Sequence, residues 1–350
     1  MAPFANLNTA WFALIGVLWA GFLFLEGFDF GVAVVTPFVV RDDTDRRLCL
    51  NAVGPTWDGN EVWLLVAGGA TFAAFPTWYA RLFSGFYLAL FLILLALIAR
   101  GVSFEFRDKV DDSRWRTTWD WANFLGSLVP AVVFGVAFTD LVHGLPLGPG
   151  GRYYGGLLGL LHPIALVGGL ASLAVFCMHG SVFLSLKTTG ELALRARRAA
   201  RLLAVPAFVL LAATVAWVAA AGRPALAGSA SSVVPLVFGL VALFSLAVAG
   251  VCVAAGRDGL GFGATAATIL LSMGAVFARM FPAVLPSSGV SAHSLTIGAA
   301  SSGHSTLVVM TVVAAIFTPV VLAYQAWTYW VFRQRLIRPP LAAESGPAQA

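Results

Sequence analysis

The sequence predicts an all-α membrane protein that crosses the bilayer many times. Of its 350 residues, 59% are hydrophobic and 11% charged, with a mean hydropathy of +0.88. A soluble domain is about half apolar and a quarter charged. The apolar residues gather in stretches long enough to cross about 30 Å of hydrocarbon at about 1.5 Å rise per residue. They do not alternate with polar residues as barrel strands do. Basic residues, finally, concentrate in alternate connections between these stretches.

Nine spans follow in order, at about 9–38, 52–75, 79–100, 119–142, 156–186, 201–221, 231–255, 261–284 and 305–332. The first is no cleavable signal peptide, because it lacks a basic leader, outruns an h-region and carries Glu26 and Asp29. Seventeen of the 21 Lys and Arg fall on the odd-to-even connections and the tail, from Arg41, Arg46 and Arg47 to Arg333, Arg335 and Arg338. Arg81, Arg152 and Arg223 lie on the opposite side, and Arg279 falls within the eighth span. By the positive-inside rule the N-terminus is outside and the C-terminus cytoplasmic. The net charge of +5 thus reports topology, and no nucleic-acid partner is implied. The tail 339–350 reads as a disordered end.

The acids are distributed unevenly. Twelve of sixteen lie in residues 1–120, and beyond Asp140 only Glu191, Asp258 and Glu344 remain. Glu26 and Asp29 come near the cytoplasmic end of the first span, while Asp58 and Glu61 enter the second from the same face. Each pair is spaced i, i+3, on one helix side. Glu105 and Lys109 follow the third span at the cytoplasmic mouth, and Asp120 opens the fourth. A carboxylate in hydrocarbon costs several kcal/mol unless it pairs, protonates or meets water, so these groups point to function. The alternative is that they only join helices through Asn60, Trp57, Arg100 and backbone groups.

Five histidines include no i, i+4 pair within a span. His179 alone is near midspan, where a helix-to-helix hydrogen bond is its expected use; no haem ligand or metal site is assigned. Cys49, Cys177 and Cys252 have no metal or redox spacing and read as small residues in or beside helices. Gly68-Gly69 and Gly168-Gly169 read as sites of close helix approach. Arg279 reads as a residue that snorkels to the interface or meets a lipid headgroup or a partner acid. Trp115, Trp119, Trp121, Tyr324, Trp327, Tyr329 and Trp330 read as an interfacial aromatic belt.

A run of motifs gives the chain a family likeness. Glu26-Gly27-Phe28-Asp29 follows Gly21-Phe-Leu-Phe-Leu, and Trp57-Asp58-Gly59-Asn60-Glu61-Val-Trp63 follows Gly54-Pro-Thr. Then come Phe72-Ala-Ala-Phe-Pro76, Arg100-Gly-Val-Ser-Phe-Glu105-Phe-Arg107-Asp-Lys109 and Trp119-Asp120-Trp121, with Phe281-Pro282 and Tyr324-Gln-Ala-Trp327-Thr-Tyr329-Trp330 much later. In this order the set resembles subunit II of the cytochrome bd quinol oxidases, over nearly the whole chain and most densely in 11–121.

The resemblance implies two four-helix bundles (1–145 and 146–290) and a peripheral ninth helix (291–338). It implies an electrogenic complex that oxidises quinol and reduces dioxygen to water in the bacterial cytoplasmic membrane. The heterodimeric partner, subunit I, would carry two b-type haems and one d-type haem. This chain would be haem-free, itself non-catalytic and able to hold a structural quinone; the lipid-embedded complex has room for small accessory subunits, which the sequence does not specify. Asp58, Glu105 and Lys109 match proton-path positions, with Glu61, Asp29 and Glu26 assisting, and Trp63 matches a proposed oxygen-entry position. The rivals are a proton-coupled secondary transporter, against which the one-sided acids argue, and a scaffold that moves no protons.

Overall fold

Apolar sequence with few breakers makes long helices, and prolines and glycines set their ends. The computed structural model describes residues 7–220 and 233–338. The helices are α1 (Leu7–Val39), α2 (Asp43–Val53), α3 (Trp57–Ala74), α4 (Pro76–Gly85), α5 (Tyr87–Phe106), α6 (Ser113–His143), α7 (Pro163–Lys187), α8 (Gly190–Ala220), α9 (Val233–Ala254), α10 (Asp258–Met280), α11 (Ile297–Ala300) and α12 (His304–Val331). Among the described residues, α1, α5 to α10 and α12 are eight helices long and apolar enough to cross a membrane. The tail 339–350 and Arg223 lie outside the described residues.

The expected second and third spans are divided differently. Residues 52–53 belong to α2, a separate short helix whose start is capped by Asp42, which accepts from the Asp45 N–H at 2.9 Å. Pro76 has no N–H to continue a helix and restricts the residue before it, so α3 stops at Ala74 and α4 begins at Pro76. The third span therefore falls at α5, some eight residues later than its expected start.

One end of the molecule is basic. There α2, the α5–α6 connection, the end of α7 and the segment after α12 meet. Leu336 N–H donates to the Lys187 carbonyl at 2.7 Å, and Arg335 donates to the carbonyls of Leu186 and Ser185 at 2.8 and 2.9 Å. Asp45, buried, pairs with Arg195 and, at 3.0 Å, with Arg338. The opposite end carries two short antiparallel hairpins, β1 (Leu147–Gly148) with β2 (Arg152–Tyr153) and β3 (Ala283–Leu285) with β4 (Leu295–Thr296).

Buried α1 is the axis of the fold, flanked by α3, α6, α7 and α10. Its approach to α7 is close because Gly31 and Gly180 face each other's backbones: a Cβ on Gly31 would strike the Phe176 carbonyl, and one on Gly180 the Val32 nitrogen. Gly168 and Gly169 likewise admit Thr139 and Val132 of α6. The same expectation for Gly68 and Gly69 is not met, since a Cβ on either would touch nothing within 4 Å. The three cysteines are free.

Candidate functional site: a buried carboxylate and arginine cluster

Four helices converge near the basic end to bury charge. Arg100, fully buried on α5, lies between acids of two other helices: it pairs with Glu26 of α1 and, at 3.3 Å, with Glu61 of α3. Three aromatic rings enclose its guanidinium, with Phe30, Trp57 and Phe104 centroids 5.1, 5.8 and 5.6 Å away. Trp57 and Phe104 stack on one another at 4.9 Å. A cation can stay charged in so dry a place because it has both carboxylates and aromatic faces to meet.

Asp29 sits one turn beyond Glu26 on α1, 1% exposed. Its Oδ2 accepts from the Asn60 amide at 2.8 Å, and its Oδ1 meets no donor among the described residues. Asn60 also links α12: its Oδ1 accepts from Gln325 at 3.0 Å and from the Tyr329 hydroxyl at 2.8 Å. Tyr329, expected in an interfacial belt, is thus part of the site together with Gln325, for which the sequence suggests no role; the i, i+4 spacing of the two is the signal that sets them on one face of α12.

Of the six proton-path candidates, the fold thus brings Glu26, Asp29 and Glu61 together. Asp58 lies exposed in the first turn of α3, one turn from Glu61, with its Oδ1 on the Gly59 N–H at 2.7 Å. Glu105 and Lys109 lie exposed at and just beyond the end of α5, and neither joins an ion pair among the described residues. Asp120 is held in ion pairs instead, 2.6 Å from Arg107 and 3.3 Å from Arg46. Arg107 also binds Asp43 at 2.5 Å. Outside the membrane-spanning helices, burial works against the charge on Asp43, but Arg107 and Arg47 outweigh it and hold the carboxyl below its usual range. Trp63, half-buried, packs on Gly21, where a Cβ would fall 2.6 Å from its ring.

His179 makes the expected inter-helix bond, Nδ1 to Thr265 Oγ1 of α10 at 2.7 Å, with its ring stacked on Phe262 at 4.5 Å. Among the described residues no three His, Cys, Asp or Glu side chains are grouped to hold a metal. Asp140, for which the sequence suggests no role, is buried near the hairpin end of α6.

The fold and the cluster define a multi-pass helical membrane protein with ionisable groups stored inside one part of it. The family model for cytochrome bd terminal oxidase subunit II matches residues 7–332, and the chain belongs to that family. It is similar to the "Cytochrome bd ubiquinol oxidase subunit 2" of Bacillus subtilis, 41% identical with 95% of this chain and 97% of the relative covered. It is also similar to the "Cytochrome bd-I ubiquinol oxidase subunit 2" of Escherichia coli K12, 37% identical with 97% of each covered. The solved bd oxidase of Geobacillus thermodenitrificans contains a chain of the same fold, with a TM-score of 0.74 at 15% identity, over 93% of this chain and 97% of that one. The protein is thus a multi-pass subunit of a respiratory oxidase complex of the bacterial inner membrane.

Proposed function

We propose that this chain is the haem-free second subunit of a cytochrome bd quinol:oxygen oxidoreductase, and that it carries protons from the cytoplasm toward a haem-bearing subunit I. The observation that carries the reading is the Glu26–Arg100–Glu61 cluster with Asp29 beside it, buried next to the basic end. A subunit serving only as scaffold gains nothing from three acids around one arginine, since well-packed apolar residues are at least as stabilising there.

The haems of the partner, two b-type and one d-type, would supply the electron transfer and dioxygen reduction. The residues here handle protons. Lys109 and Glu105, exposed at the end of α5, collect them; Asp58 passes them to Glu61, one turn on; Glu61, Asp29 and Glu26 hold or relay them inside. An exposed Asp58 beside a spanning bundle is costly against lipid, which supports a docked subunit I over that face of α3. In this reading α3 is the ninth crossing. Its last turn supports this, because the Ala73 and Ala74 carbonyls accept from Ser302 at the hairpin end. The basic end then faces the cytoplasm with the C-terminus, the N-terminus lies outside, and the helices divide into the two four-helix bundles with α12 peripheral. Trp63 lines oxygen access. A cavity of about 280 Å³ among α6 to α10, apolar apart from a few hydroxyls and Arg279, fits part of the isoprenoid tail of a structural quinone.

Replacing Asp58 with Asn in the assembled oxidase, reconstituted in vesicles, tests the path. Oxygen consumption and voltage should both fall, by about tenfold or more. Unchanged turnover and potential in an assembled complex remove Asp58 from the path and leave the scaffold reading in its place.

A further inference from the structure

α12 has little packing of its own. Between Ala315 and Tyr324 every residue is exposed, and the helix meets the body near its two ends. At the hairpin end the Trp11 indole donates to Thr311 Oγ1 at 3.0 Å. At the basic end Gln325 and Tyr329, a turn apart on one face, both donate to a single atom, Asn60 Oδ1. The segment that follows fixes their height along the axis: Arg335 caps carbonyls at the end of α7, and Arg338 reaches Asp42 and Asp45.

We infer that Gln325 and Tyr329 are positioning residues for the proton path, which they serve by orienting the Asn60 amide toward Asp29. An asparagine amide can present either its oxygen or its NH2 group in a given direction. With two donors converging on Oδ1, the oxygen is committed to α12, and the NH2 group is committed to Asp29 Oδ2. Asn60 is fully buried, so no bulk water competes for this choice. The carboxylate has no other hydrogen-bond donor among the described residues, and Oδ1 stays open to carry a proton. The charged and titratable groups around it are Glu26 on α1, Glu61 on α3, Arg100 on α5 and Tyr329 on α12; the hydrogen-bonded route from α12 to Asp29 runs through Asn60. The peripheral helix therefore completes a site to which it contributes no acid.

The inference rests on Asp29 belonging to the path, and a mutant cycle in the assembled two-subunit oxidase in vesicles separates the two claims. Tyr329→Phe removes the hydroxyl and keeps the ring against Phe28, 6.5 Å between centroids. Gln325→Ala removes the other donor without touching that aromatic contact, and serves if the tyrosine variant fails to assemble. Either should slow oxygen-driven voltage generation by about fivefold, the worth of one ordinary hydrogen bond. In an Asp29→Asn background the same substitutions should slow it no further, and the midpoint of haem loss on heating should show the same non-additivity. Equal slowing with and without the Asp29 carboxylate, additive midpoints, or no effect from either variant overturns the inference. If Asp29→Asn alone leaves the voltage untouched, the path loses Asp29; non-additive midpoints would still support the positioning contact, and additive ones would end it.

Discussion

The two halves of the protein solve helix packing with different chemistry. Around α1, α3, α5 and α6, helices near the basic end are joined by charge and amide groups: Arg100 with Glu26 and Glu61, Asn60 with Asp29, Arg107 with Asp43 and Asp120. Among α7 to α10, they are joined by small residues and hydroxyls. Gly180 lets α7 touch α1, and Ser245 and Thr268 bond carbonyls across the α9–α10 contact at 3.0 and 3.4 Å. Both schemes hold helices in a dry interior; among the described residues the second has no counterpart of the Arg100 cluster, and its Arg197–Asp258 pair, with Asp258 buried, lies at the basic end. Packing alone therefore does not require the buried acids of the first half, which fits the proton role proposed for them. Substitutions on either side can break or sharpen this contrast.

The largest effect is expected at Arg100. Arg100→Leu leaves Glu26, fully buried, without its cation, at a cost of about 3–5 kcal/mol. The haem content of membranes should drop to a small fraction of the wild-type value, and adding Glu26→Gln should restore much of it, since the stranded charge is then gone. Normal haem content in the single variant would mean that the cluster is not the support of the first half.

Next comes the glycine contact of the second half. Gly180→Ala places a methyl group against the Val32 backbone, which no side-chain rotation can relieve, at a cost of about 1–3 kcal/mol. The thermal midpoint of the purified complex should fall while voltage per oxygen consumed stays unchanged. A loss of voltage without a loss of stability would show that proton movement depends on the α1–α7 contact and would blur the division drawn above.

A smaller effect is expected at the ion pair the second half keeps at its basic end. Arg197 meets both oxygens of Asp258, at 2.9 Å from Nε and 2.5 Å from Nη2. Asp258→Asn should cost about 1–2 kcal/mol of stability, because Arg197 is partly exposed and finds water, and should leave turnover and voltage unchanged. The same neutralisation at Glu61 or Asp29 should change voltage, which makes this pair the control for a charge with a structural role only.

The helices were largely legible in the sequence because hydrocarbon imposes a length and an apolar composition on any span, and the uneven placement of Glu26, Asp29, Asp58 and Glu61 was legible for the same reason. What failed was local. Tyr79 to Phe86 is apolar enough to read as the start of a span, yet Pro76 and the break at Phe86 make α4 a separate short helix. Gly68-Gly69 and Gly168-Gly169 look alike as sequence, but only the second pair faces a helix of this chain; which faces meet is a property of the tertiary arrangement. Tyr329 shows the same limit: composition placed it near an interface, while its hydrogen bond depends on α12 docking beside α3, some 270 residues earlier in sequence.

The smallest effect concerns the ion pairs that close the basic end, and it is read through pH. Asp42 is held below its usual carboxylate range by the Asp45 N–H and by Arg338, and Asp43 by Arg107 and Arg47 against the cost of burial. A carboxylate whose folded pKa lies below its unfolded value contributes stability at pH values above the unfolded pKa, about 4, and loses that contribution as pH falls through the folded value. The thermal midpoint of the complex should therefore be flat above about pH 5 and decline below about pH 4. Arg338→Gln should make the decline shallower, by removing one of the cations that favour the ionised form of Asp42. Added salt should reduce the difference between wild type and variant, because Asp42 and Arg338 are exposed to solvent and screened at a Debye length of about 8–10 Å. If the two profiles coincide at every salt concentration, Arg338 contributes through its contact with buried Asp45 alone, and the closure of the basic end resembles the interior of the first half more than its surface.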